Sequence, residues 1–212
     1  LIVISGRGKS FCAGADILWM KRMKNFSFEE NLKDARALSI MLNELNSIEI
    51  PTIAKVHGNV FGGGVGIVAA CDIVIASKET IFSLSEVKLG LVPACISPYL
   101  IKRVSLGALK GYFLTGNRFD ACRAREIGLI NEVIEKENID ILVEETISNI
   151  LANGPLALKE AKKLLEKVEK MEATEYMEYT ANVISKLRTS KEGQEGLNAF
   201  LEKRAPEWNL KK

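Results

Sequence analysis

The chain is poor in the residues that announce metal, redox and membrane chemistry. Its 212 residues hold one histidine, His57, which ends a strand before a glycine-rich loop with no Ser or Cys nucleophile motif around it, so it reads as structural. The four cysteines, Cys12, Cys71, Cys95 and Cys122, are scattered without a CxxC pair among small apolar neighbours. That pattern fits buried free thiols in a reducing compartment and argues against disulfides, zinc and redox roles. No apolar run approaches the roughly eighteen residues of a membrane span, and no signal peptide is visible. Charge of one sign is lacking too: 29 Lys and Arg against 27 Asp and Glu leave +2, too weak a field to mark nucleic acid or an acidic membrane as the main partner.

What is present is apolar content, 47% of residues, enough to bury a sizeable core in one domain with a helical appendage. The opening "LIVIS" reads as a buried strand already under way, with no initiator Met before it. The expectation is a chain whose N-terminal piece, with any targeting signal, precedes Leu1.

Strand and helix patterns then alternate. A helix is expected from Ser27 to about Leu45, with Phe28, Leu32, Ala35, Leu38 and Leu42 on one face and Ser27 capping it over Glu30. Pro51 ends that region, "TIAKVHG" and "DIVIAS" read as strands around a short helix "GGVGIVAAC", "TIFSL" as a further short strand, and "ISPYLIKRV" as the start of a helix. The alternation points to an α/β fold of βαβ units with mostly parallel strands over residues 1–140. From 141 to 212 the composition turns to Glu, Lys, Leu and Ala at helical spacing, with Pro155 placed to start a helix and, earlier, Asp120 to cap one.

"LIVISGRGKS" looks like the end of a phosphate-binding loop, but Val3 stands where that motif needs its first glycine, so nucleotide hydrolysis is set aside. More informative are "FCAGADI", Phe11 to Ile17, and "FGGGVG", Phe61 to Gly66. Each is a small-residue loop leading from a strand into a helix, where first-turn N–H groups lack intrahelical partners and the dipole favours negative charge. Glycine lets a ligand approach the backbone, and two donors on one oxygen make an oxyanion hole. The plainer reading of these glycines is a tight, closely packed turn.

In their order and spacing "FCAGADI", "FGGGVGIVAACDIVIAS", "FSLSEVKLGLVPA", "LTGNRFDACRAREIGLINEVI" and "SKEGQEGLNAFLEKRAPEW" resemble the enoyl-CoA hydratase/isomerase, or crotonase, family along the whole chain. The wording is most similar to 3-methylglutaconyl-CoA hydratase-like members. The resemblance implies a spiral of βαβ turns followed by a C-terminal helical region that forms trimers, often paired into hexamers, and a place in the cytoplasm, or in the mitochondrial matrix of a eukaryote. It implies backbone N–H donors at Ala15 and Gly63 for the thioester oxygen of an acyl-CoA, and Glu86 in the apolar setting "FSLSEVKLG" as the acid/base residue. Taken alone, Glu86 would read as a solvated charge.

By the same resemblance the substrate is lined by Ala13, Ala15, Asp16, Ile17, Leu18, Gly62, Gly63 and Pro93. Phe200 and Lys203 reach the adenine and phosphate end of coenzyme A, commonly from a neighbouring subunit. Their plainer reading is an apolar stripe and a solvated lysine. Coenzyme A enters as part of the substrate, and no metal or separate cofactor is implied.

One position departs. Two-glutamate hydratases carry a carboxylate where this chain has Gly66, and neither Val65 nor Ile67 replaces it. Hydration of an enoyl-CoA remains the leading expectation; the alternatives are a single-glutamate isomerase and a non-catalytic scaffold or RNA-binding member of the fold.

Overall fold

The computed structural model describes residues 1–209, so the last three positions of the expected helical region lie outside the described residues. The chain divides into two compact units: Ile2–Ile48 with Thr52–Val143, and Leu1 and Glu49–Pro51 with the residues from Glu144 on.

The first unit runs β1 (Ile2–Ser5), α1 (Ile17–Met23), α2 (Phe28–Ser47), β2 (Thr52–Val56), β3 (Asn59–Phe61), α3 (Gly63–Ala70), β4 (Ile73–Ser77) and β5 (Ile81–Ser83). A 3₁₀ turn, Ser85–Leu89, leads to α4 (Ser97–Leu100), α5 (Leu106–Thr115), β6 (Arg118–Asp120), α6 (Ala121–Glu126), β7 (Glu132–Ile134) and the start of α7 (Ile139–Leu151). Strands β1, β2, β4 and β7 form a parallel sheet in that order, and β3, β5 and β6 a second sheet, parallel between β3 and β5 and antiparallel between β5 and β6. The central strands β2 and β4 are buried almost throughout, as strands of a parallel sheet covered on both faces are. The expected α/β architecture is therefore present.

Local chemistry explains several boundaries. Ser27 and Glu30 form a reciprocal capping box at the start of α2, and Asp120 accepts the N–H of Arg123 at 2.7 Å to open α6. Asp72 closes α3 onto β2 by accepting both the N–H and the hydroxyl of Thr52, at 2.8 and 2.9 Å.

Four expectations are corrected. β1 is the edge of its sheet, so "LIVIS" is half-buried with Val3 exposed, rather than a buried strand. In α2 the core contact is made by Leu42 and Leu45 at the C-terminal end, while Phe28 points to solvent at the N-terminal end. Of the cysteines only Cys71 is buried, and Cys122 is exposed. The helix expected from "ISPYLIKRV" is one four-residue turn, α4, after which the chain breaks and restarts at α5, capped by Ser105.

The second unit contains the rest of α7, α8 (Pro155–Val168), α9 (Ala173–Thr189), α10 (Lys191–Leu201) and a 3₁₀ turn, Glu207–Asn209. Pro155 opens α8 as expected, but Gly154 offers no cap, so the Glu192 carboxylate of α10 accepts the N–H groups of Leu156 and Ala157, both at 2.8 Å. Lys159 and Lys163 pair with Glu49 and hold its carboxyl down at about 2. Arg204 grips Glu195 with two N–H bonds, and Trp208 Nε1 donates to Ala152 O at 3.1 Å. Phe200 and Leu201, at the end of α10, are exposed. No helix among the described residues is long and apolar enough to cross a membrane.

Candidate active site

Backbone pairing brings the two small-residue loops together. Phe11 N donates to His57 O at 2.8 Å, Cys12 N to Asn59 O at 3.0 Å, and Phe61 N to Cys12 O at 2.9 Å, so the first loop runs alongside β3 as an extra strand would. His57 joins the same scaffold through Nε2 and Gly8 O, 3.0 Å apart, which is the structural role expected for it. Beyond this paired stretch Gly14 takes a φ of +109° that only glycine adopts easily, and the chain turns into α1, where Asp16 caps by accepting the N–H of Trp19 at 2.7 Å.

On the other side Gly62, with φ +54°, redirects β3 into α3. Its N–H is spent on Ser83 O at 3.1 Å, whereas the N–H groups of Ala15 and Gly63 have no protein acceptor among the described residues. A side chain on Gly63 would meet nothing within 4 Å, so the backbone there faces open space. These are the two donors named from sequence, and both are free.

The loops are held close by a contact that leaves no room. A Cβ on Gly64 would lie 2.5 Å from Cys12 Cβ and 2.9 Å from its sulfur. We expect Gly64→Ala to push the loops apart and lower kcat on the order of 10²-fold, because small misplacements of aligned groups carry costs of that size. Steady-state kinetics on the folded variant checks this.

Glu86 sits in the 3₁₀ turn Ser85–Leu89, which ends at Gly90 in the left-handed conformation. Its carboxylate lies over the second loop: Oε1 is 3.3 Å from the position a Cβ on Gly62 would take. Oε2 is buried and has no hydrogen-bond partner. Burial pushes the carboxyl above the usual carboxylate range, the direction that suits proton transfer near neutrality. An orphaned carboxylate oxygen is costly in a folded chain, and such costs concentrate where the group has work to do on a ligand.

The remaining residues named from sequence are dispersed. Ala13, Asp16, Ile17 and Leu18 are exposed around the start of α1, and Pro93 is buried in the loop between the Glu86 turn and α4. Phe200 and Lys203 belong to the second unit; Phe200 is 81% exposed, and Lys203 has φ +55°.

Gly66 is where sequence reasoning fell short. It lies four residues after Gly62 and so on the same face of α3. Where Gly62 meets Glu86, Gly66 meets Ile96: an added Cβ would collide with Ile96 Cγ2, would lie 2.8 Å from Ile96 Cβ, and would lie 3.5 Å from Leu42 Cδ1. The place beside Gly66 is thus hydrocarbon. The signal in the sequence was the bulky Ile96 itself, but nothing local ties position 96 to position 66.

The fold is shared with known proteins. The model of the family described as enoyl-CoA hydratase/isomerase matches residues 1–211. A short-chain-enoyl-CoA hydratase of Clostridium acetobutylicum is 31% identical over 96% of this chain and 77% of its own length. The crystal structure of an enoyl-CoA hydratase from Shewanella pealeana superposes with a TM-score of 0.93 at 40% identity, covering 98% of this chain and 78% of that one. AtuE of Pseudomonas aeruginosa gives 0.91 at 31% identity over 95% and 79%. Similarity that runs nearly end to end, over paired loops with free N–H groups beside a buried carboxylate, places this chain in the enoyl-CoA hydratase/isomerase family.

Proposed function

We propose that the chain adds water across the C2–C3 double bond of an enoyl-CoA thioester, and removes it in reverse. The observation that carries this reading is the buried, unpartnered Oε2 of Glu86 beside the loop whose Gly63 N–H is free. In the proposed reaction the thioester oxygen accepts hydrogen bonds from Ala15 and Gly63 N–H. Glu86 takes a proton from water as the water oxygen bonds to C3, and negative charge moves onto the thioester oxygen as an enolate. Glu86 then delivers that proton to C2, which restores the carbonyl. The donors act on the transition state because the enolate oxygen binds them more tightly than the carbonyl does, and one such donor is worth on the order of 10²–10³ in rate.

Ala13, Asp16, Ile17, Leu18, Gly62 and Pro93 are proposed to line the acyl-CoA, with Phe200 and Lys203 toward its nucleotide end. A homotrimer or hexamer is proposed as the assembly, supported by the apolar Phe200 and Leu201 that α10 leaves exposed. The reading calls on no metal, since backbone N–H groups meet the developing charge.

The isomerase reading is favoured by one observation, the hydrocarbon filling beside Gly66, which leaves Glu86 without a companion carboxylate on α3. One base suffices to move a proton between C2 and C4. The test follows the enoyl-thioester absorbance with crotonyl-CoA and 3-methylglutaconyl-CoA, and separately with a 3-enoyl-CoA. Loss of absorbance on adding water to either 2-enoyl ester is expected. Turnover of the 3-enoyl ester alone would overturn hydration in favour of isomerisation.

A further inference from the structure

The first turn of the helix that carries Gly63 is held through backbone alone, by Gly62 N–H on Ser83 O and by the close approach of Gly64 to Cys12. α3 is eight residues long, about 12 Å. Its opening Gly62-Gly63-Gly64 contributes no side chain, and no side chain caps it. Glycine there serves ligand approach and leaves this end without a side-chain anchor of its own.

A side-chain grip lies at the other end. Arg103, in the break between α4 and α5, spends all five guanidinium donors on this region. Nε donates to Ala69 O at 3.1 Å, Nη2 to Cys71 O and to Asp72 O at 2.8 Å, and Nη1 to Leu129 O at 3.2 Å and Asn131 Oδ1 at 3.4 Å. The Ala69 carbonyl is one that a helix C-terminus leaves without an intrahelical partner, and the helix dipole favours a cation there. Two of these partners are themselves anchored: Asp72 holds Thr52 at the start of β2, and Asn131 Oδ1 accepts the N–H of Val74 in β4 at 2.8 Å. The guanidinium therefore ties the end of α3 to both central strands of the parallel sheet. Burial pulls its pKa down, with Cys71 and the Asp72 carboxylate opposing.

We propose that Arg103 is a positioning residue for the reaction: by fixing the C-terminal end of α3 against the sheet, it sets where the Gly63 N–H points at the other end. The proposal rests on the reading of Gly63 as a thioester-oxygen donor. Arg103 directs its guanidinium donors to protein acceptors at the far end of α3 from Gly63. It acts through the helix as a short rigid rod, whose glycine end follows any movement of its gripped end.

The test uses Arg103→Lys, which keeps the charge and loses the fork, and Asn131→Ala, which leaves Arg103 intact and removes one of its anchors. Three measurements are made on the full chain: kcat and KM with crotonyl-CoA, thermal unfolding, and the red shift of cinnamoyl-CoA absorbance on binding, which reports polarisation of the thioester carbonyl. For Arg103→Lys the expected result is a kcat lower by about 10- to 100-fold with KM within about threefold, and a smaller red shift. Asn131→Ala changes both in the same direction by less, and it carries the test if Arg103→Lys does not fold. Wild-type red shift and kcat retained by the folded variants would overturn the positioning role while leaving Gly63 as donor. A wild-type protein that binds cinnamoyl-CoA with no red shift would instead remove the reading of Gly63, and the proposal with it.

Discussion

Glu86→Gln lowers kcat for enoyl-CoA turnover on the order of 10²–10⁴-fold, the range that a positioned acid/base group supplies, while the dissociation constant for a CoA ester changes little. Glutamine keeps the volume and the contact with Gly62 but can neither take nor give the proton. The pH profile carries a second signature. Burial raises the Glu86 carboxyl above its ordinary value, so the ionised base, and with it hydration, grows in as pH rises through that raised value. The ascending limb therefore lies nearer neutrality than for an ordinary carboxylate and disappears in the variant.

Stability runs the opposite way. A carboxyl with a raised folded-state pKa binds its proton more tightly in the native chain than in the unfolded one, so its favourable contribution is complete below the unfolded value and is lost as pH climbs through the folded value. Above the raised folded-state value the wild type holds a buried charge with an unpartnered oxygen, and Glu86→Gln removes it. We expect the variant to unfold at higher temperature than the wild type at pH 8, with the advantage gone near pH 4. An unfolding series showing no such crossover, or wild-type turnover by Glu86→Gln, would remove Glu86 from the role given to it.

Gly66→Glu is the second large effect, and it is a loss of stability. The new side chain begins inside the radius of Ile96 Cγ2, in a stretch where Gly66, Ile96 and Leu42 are all buried. Overpacking of this kind costs about 1–3 kcal/mol, and a carboxylate buried among hydrocarbon adds to it, so a fall of about 3 kcal/mol or more is expected in urea unfolding. Trimming Ile96 to glycine in the same chain recovers part of the loss, a coupling of about 0.5–3 kcal/mol between residues in contact. A Gly66→Glu chain as stable as the wild type would show that Ile96 does not fill that space.

The two small-residue loops were legible before any coordinate. "FCAGADI" and "FGGGVG" are readable because the lack of side chains is itself the feature: a loop that must bring backbone N–H groups to a ligand uses small residues at those positions, whatever surrounds it. Caps are readable for the same reason, since Ser27, Asp120 and Pro155 act on backbone within a few residues of themselves. Glu86 was named through its resemblance to a family position. Its orphaned oxygen and raised pKa come from burial, which no short stretch of sequence specifies.

Where the reading failed, the deciding contacts span long separations. The expected helix at "ISPYLIKRV" stops after four residues, and Arg103 beyond it is turned onto carbonyls more than thirty positions earlier. Phe28 has the right spacing for the buried face of α2, yet the core reaches that helix only from about Leu38 on. Gly66 looked like a vacancy because a sequence lists what a residue lacks without showing what has moved in. Loop chemistry, caps and the alternation of strands with helices follow from bonds and periodicities a few residues long, and those the chain states openly. Which apolar side chain closes a gap, which carboxylate oxygen is left dry, and which arginine holds a helix from behind depend on packing between segments tens of residues apart, and only the folded arrangement decides them.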